Sequence, residues 1–122
     1  MDWESVSAGP LLDARMARTL WRALVVHDAA NNECYMVSDD HERVPVPNYS
    51  TAVDDAHRVA AFMQSQGWTL SIKQTMDDDN VCYVALFGKT DGRIYNYTKA
   101  ETMPLAICLA ALWAWSGGNV KI

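Results

Sequence analysis

Apolar side chains recur along this chain at two periods, and the switches between them divide it into elements. Leu12, Met16 and Leu20 repeat every four residues, with Ala17, Trp21 and Leu24 beside them, which predicts an amphipathic helix over 11–25. Between His27 and Asn48 the chain turns polar, apart from two short runs at 34–37 and 43–46 that read as strands around the turn Ser38-Asp39-Asp40-His41. Pro45 and Pro47 cannot donate ladder hydrogen bonds, so the second run belongs at a sheet edge. Tyr49-Ser50-Thr51 then opens a second helix. Either hydroxyl is a candidate cap, and Asp54 and Asp55 suit the positive end of the helix dipole. Val53, Ala56, Val59, Ala60 and Met63 form its apolar face, and Gly67 supplies a left-handed residue at its end.

The period next falls to two. Trp68, Leu70 and Ile72 alternate with Thr69, Ser71 and Lys73, as in a half-buried strand. Asp77-Asp78-Asp79-Asn80 makes a turn. The run 81–87 is apolar on both faces, the pattern of a central strand covered on both sides. Asp91-Gly92 signals a hairpin, and 94–98 reads as the third strand. The last helix begins at Thr102 or Met103, with Pro104 in its first turn, and Gly117-Gly118 ends it. Nothing polar occurs between Leu105 and Trp115, so this helix must be covered on most sides or face a partner. The expected order is α-β-β-α-β-β-β-α, an α+β fold with a small antiparallel sheet, built as one domain over 11–122 behind a short tail at 1–10.

With 122 residues, half of them apolar, the chain has room for one core. A net charge of −5 argues against a duplex nucleic-acid binder, which normally carries a basic face. No apolar run is long enough to span a membrane, and 1–10 lacks the basic and apolar regions of a secretory signal. Three widely spaced cysteines, Cys34, Cys82 and Cys108, fit neither a disulfide framework nor a zinc site. They read as structural thiols in a reducing cytoplasm.

The chemistry-bearing residues point to binding more than to catalysis. His27, His41 and His57 show no metal-pair spacing, and the aspartates at 77–79 lack the spaced ligands, glycine and closing glutamate of a calcium loop. No nucleophile elbow, P-loop or dinucleotide fingerprint occurs, so no catalytic residue, metal or cofactor is assigned. Arg15, Arg18 and Arg22 lie along one side of the first helix, as a solvated face or an anion-binding stripe. Tyr83, Tyr95 and Tyr97 fall on adjacent strands, with Lys89, Arg93 and Lys99 at their ends. Aromatic faces beside cations can stack on a nucleotide and neutralise it, with Arg93 the best phosphate ligand, although sheet-to-helix packing accounts for the same pattern. Helix, three strands and helix is also the order of a double-stranded-RNA-binding domain. However, Lys99-Ala100-Glu101-Thr102 lacks the lysines such a domain needs there. Leu112, Trp113 and Trp115 give the last helix more apolar surface than one small sheet covers, which points to a homo-oligomer formed through them.

Two segments resemble a known family. Pro47-Asn48-Tyr49-Ser50-Thr51 is similar to the P-x-Y-S-T entry of the phage ABA-sandwich domain family. Pro104-Leu105-Ala106-Ile107-Cys108-Leu109-Ala110-Ala111-Leu112 is similar to its closing P-L-A-I-C-x-A-A-L helix. Leu12-Asp13-Ala14 resembles the family's L-D-x-x-V-A segment more loosely, and Trp21-Arg22-Ala23 stands where its M-G-W turn is usual. The resemblance implies a phage or prophage origin and an α/β/α sandwich, and it transfers no site residue. Phage accessory proteins of this kind often act against host defence, by contact or by sequestering a signal. The expected function is therefore a non-enzymatic counter-defence protein in the bacterial host cytoplasm, binding a small nucleotide signal or a host defence protein. The alternatives are a small enzyme whose site forms between chains and a structural phage protein without ligand.

Overall fold

The computed structural model describes residues 7–28, 30, 33–38, 40–89 and 98–115. The elements are α1 (Pro10–Trp21), β1 (Val25–Asp28), β2 (Glu33–Val37), β3 (Arg43–Pro45), α2 (Val53–Ser65), β4 (Trp68–Asp77), β5 (Asn80–Lys89), β6 (Thr98–Ala100) and α3 (Met103–Trp115). They form three helices and two three-stranded antiparallel sheets, β1-β2-β3 and β4-β5-β6, the α+β class that the periods imply. The strand carrying Pro45 lies at the edge of its sheet, as its missing N–H demands.

The first helix stops four residues short of the expected end. Arg22 takes a left-handed conformation (φ 54°), and the Ala23 N–H reaches back to the Ala17 carbonyl, closing the helix without a glycine. The β-branched pair Val25-Val26 then enters β1, an additional strand that pairs Val25 with Met36 and His27 with Cys34. At the other helix end, Gly67 adopts φ 91° after α2, in the role its position suggests.

The core lies between α2, α3 and one face of the second sheet. Trp68, Leu70 and Ile72 of β4 share that face with Tyr83, Ala85 and Phe87 of β5, and with Thr98 and Ala100 of β6. The Thr98 hydroxyl donates to the Ala106 carbonyl at 3.1 Å, tying β6 to the start of α3. The chain's most apolar helix is satisfied internally, since α3 packs against β5, β6, α2 and α1 together. Leu112 is 1% exposed, and Trp115 sits against Phe62 at 5.4 Å. That corrects the expectation of Leu112 at an oligomer contact, because two helices and a sheet bury more of α3 than one sheet face could. Trp113 and Trp115 are half-buried at its end.

Candidate functional site

Three sequence segments meet at a buried polar junction. Asp13 in the first turns of α1 is 3% exposed and Ser50 is fully buried. The Ser50 hydroxyl donates to Asp13 Oδ1 at 2.6 Å, the Ser50 N–H donates to the same oxygen at 2.8 Å, and the Gly9 N–H donates to the hydroxyl at 2.9 Å. One residue earlier, the Tyr49 carbonyl accepts the Cys108 thiol at 3.2 Å. The Tyr49 ring stacks on Trp21, 5.0 Å between centroids, and Trp21 continues onto Phe62. Ser50 and Thr51 therefore do not cap α2, which corrects the reading of 49–51 as a helix cap. The N-cap is Ala52, with no side-chain bond, and the carboxylate of Asp55 accepts the Asn48 N–H instead.

Burial dominates the titration of this junction. It pushes the Asp13 carboxyl above its usual 3.8, Ser50's two hydrogen bonds hold that rise back, and Asp55 adds to it. Burial likewise pushes the Cys108 thiol up, with Asp13 adding, so Cys108 is an inert packing thiol. Tyr49 is raised by burial, against a lowering effect of Arg58. A cleft of about 360 Å³ lined by Asp13, Glu33, Cys34, Tyr35 and Asn48 opens beside the junction. His27 and Cys34, seven residues apart in the chain, face each other across β1 and β2. Among the described residues no three His, Cys, Asp or Glu side chains gather as a metal site.

The three expected binding residues that lie among the described ones, Tyr83, Lys89 and Lys99, do not share one face. Arg93, Tyr95 and Tyr97 lie outside the described residues, in the segment joining β5 to β6. Tyr83 pairs with Ala100 on the helix-facing side of the sheet, and Lys89 covers the Trp68 ring at 5.1 Å on that same side. Lys99 pairs with Val84, one residue out of phase with Tyr83, so it projects from the opposite face.

That outer face carries the larger concavity, about 520 Å³, lined by Ser71, Lys73, Thr75, Val84, Leu86 and Lys99 among others. Lys73, Val84 and Lys99 are direct cross-strand neighbours, so a lysine stands on each side of a valine. Leu86 with Ser71 and Cys82 with Thr75 form the rows above and below. β5 is central, as its two-sided apolar pattern implies, yet no described element covers this face. Cys82, Val84 and Leu86 are left half-buried among neighbouring side chains. No acidic side chain interrupts the surface between Thr69 and Thr75 on β4 or between Cys82 and Gly88 on β5, so a chain of net −5 presents a locally cationic, apolar-floored face. Lys73 is not among the binding residues expected from the sequence. Its signal was the polar alternation of β4, opposite a strand whose second apolar face needed an occupant.

The fold is that of a small α+β domain with one sheet face left open among the described elements. The phage ABA sandwich domain family matches residues 3–112, and the chain belongs to that family. A solved structure of a phage protein from Bacillus cereus is similar to it in fold, with a TM-score of 0.65 and 18% identity over 99% of each chain. Among curated proteins none matches the chain. Asp13, Tyr49, Ser50 and Cys108, from the segments that carry the family resemblance, are residues of the buried junction, and this gives the motifs a physical role in joining the helices. No helix among the described residues is long and apolar enough to cross a membrane.

Proposed function

We propose that this phage-family protein is a non-enzymatic binding protein that takes an anionic ligand with an apolar body on the outer face of β4-β5-β6. The small nucleotide signals of host defence, in the host cytoplasm, have the fitting chemistry. The observation that carries the reading is the Lys73–Val84–Lys99 row within a concavity of about 520 Å³. Strands lie about 4.8 Å apart, so the two lysine stems start about 10 Å from each other and their ammonium groups can close on one phosphate or bracket two. Val84 and Leu86 between them offer the floor for a base. The segment holding Arg93, Tyr95 and Tyr97 leads directly into the strand of Lys99, which keeps it within the same reading. The openness of the face also suits an acidic surface of a host protein, and that is the alternative occupant.

The test is calorimetric titration of the wild type, Lys73→Ala, Lys99→Ala and Arg93→Ala with a panel of cyclic and linear nucleotides. Loss of one charge-assisted hydrogen bond, about 1.5–3 kcal/mol, should weaken binding by roughly ten- to a hundredfold in each lysine variant while leaving the melting temperature unchanged. A wild type that binds nothing on the panel defeats the nucleotide reading and leaves the host protein. Binding that ignores both lysines defeats the choice of face.

A further inference from the structure

The hairpin of β4 and β5 reaches beyond the helices that cover it. Each strand has ten residues, about 33 Å, whereas α2 and α3 have thirteen residues each, about 20 Å. Cover on the helix-facing side fades past Ile72 and Tyr83. Met76 and Val81, cross-strand partners on that side, are 61% and 43% exposed. The turn beyond them holds Asp78 and Asp79, both exposed. The hairpin therefore ends as an arm with an apolar inner surface and an acidic tip.

A complementary surface lies on α1. Leu11 is 75% exposed, Arg18, seven residues later, returns to nearly the same side of the helix, and the exposed Arg22 follows at its left-handed end. An apolar end followed by two cations along α1 complements an apolar arm with an acidic tip.

We propose that two copies of this chain associate by exchanging these surfaces, the arm of each lying along α1 of the other. Met76 and Val81 meet Leu11, and the Asp78 and Asp79 carboxylates meet the Arg18 and Arg22 guanidiniums. Reciprocal exchange uses both surfaces of both copies and closes as a two-fold pair, whereas one-way docking would leave one of each free to propagate. The contact is independent of the outer sheet face, so its failure and that of the ligand reading are distinguishable.

Sedimentation and light scattering of the full chain at tens of micromolar, at low and high salt, test the pairing. The wild type should be a dimer at low salt, and its dissociation constant should rise with salt as the charges are screened. Arg18→Glu with Arg22→Glu, and separately Asp78→Lys with Asp79→Lys, should each weaken the dimer by about tenfold or more. A chain carrying all four substitutions should recover, because each arm again meets an opposite charge. Asp78→Asn with Asp79→Asn keeps residues that tolerate the positive φ of this turn, and it should weaken the dimer without changing the melting temperature of the monomer. A wild type that stays monomeric, a dimer indifferent to both reversals, or reversals that do not rescue each other would overturn the proposal.

Discussion

Replacing Ser50 by Ala probes the junction of the three family segments at its centre. The hydroxyl donates to a buried carboxylate at 2.6 Å and accepts the Gly9 N–H at 2.9 Å. A hydrogen bond to a charged group contributes about 1.5–3 kcal/mol and a neutral one about 0.5–1.5, so the expected loss is about 2–4 kcal/mol. A helix cap alone would cost about 1 kcal/mol, and Thr51→Ala, at an exposed position, should stay within about 0.5. Urea denaturation of the two variants separates the accounts. A double-mutant cycle with Asp13→Ala should return a coupling of about 1.5–3 kcal/mol.

The pH dependence has a definite sign. Asp13 holds its proton more tightly in the folded chain than the ordinary 3.8, so folding stability falls as pH climbs from there through the raised value and levels off above it. Ser50 opposes the rise, so removing its hydroxyl steepens that fall. The Ser50→Ala penalty should be largest near neutral pH and shrink as the solution is acidified. A penalty below about 0.5 kcal/mol, additivity in the cycle, or a pH-independent penalty would refute the charge-assisted junction.

Two further expectations follow from the packing. Leu112→Ala should cost about 2–5 kcal/mol in urea denaturation, because the side chain is enclosed by the core and a cavity remains; a cost under about 1 kcal/mol would return it to the surface. Asp79→Gly should stabilise the β4–β5 hairpin by about 0.5–1 kcal/mol at high salt, since Asp79 sits at φ 66° where glycine is unstrained. A lower denaturation midpoint would show that the turn takes another form.

Where neighbours in the chain settle the outcome, the sequence was sufficient. The core face of α2 apart from Val53, which the structure leaves exposed, the end of that helix before Gly67, the central position of β5 and the start of α3 beside Pro104 all follow from local period and local punctuation. The early end of α1 was invisible because Arg22 supplies the left-handed residue without glycine, and β1 was hidden inside the continuing helical period. Ser50 looked like a cap because its local position is that of one. Its partner Asp13 lies 37 residues away, and only packing brings α1 there.

The binding face was the least legible feature. Tyr83 and Lys99 both sit on strands of one sheet, and composition groups them, yet side chains alternate sides along a strand and a shift of one residue moves a side chain to the opposite face. The pairing Val84 with Lys99, and Val84 with Lys73 on the other flank, assigns each residue its side. Local pattern thus determined which residues form strands and helices. Register between distant strands decided which cations meet, because that choice depends on contacts that no single segment contains.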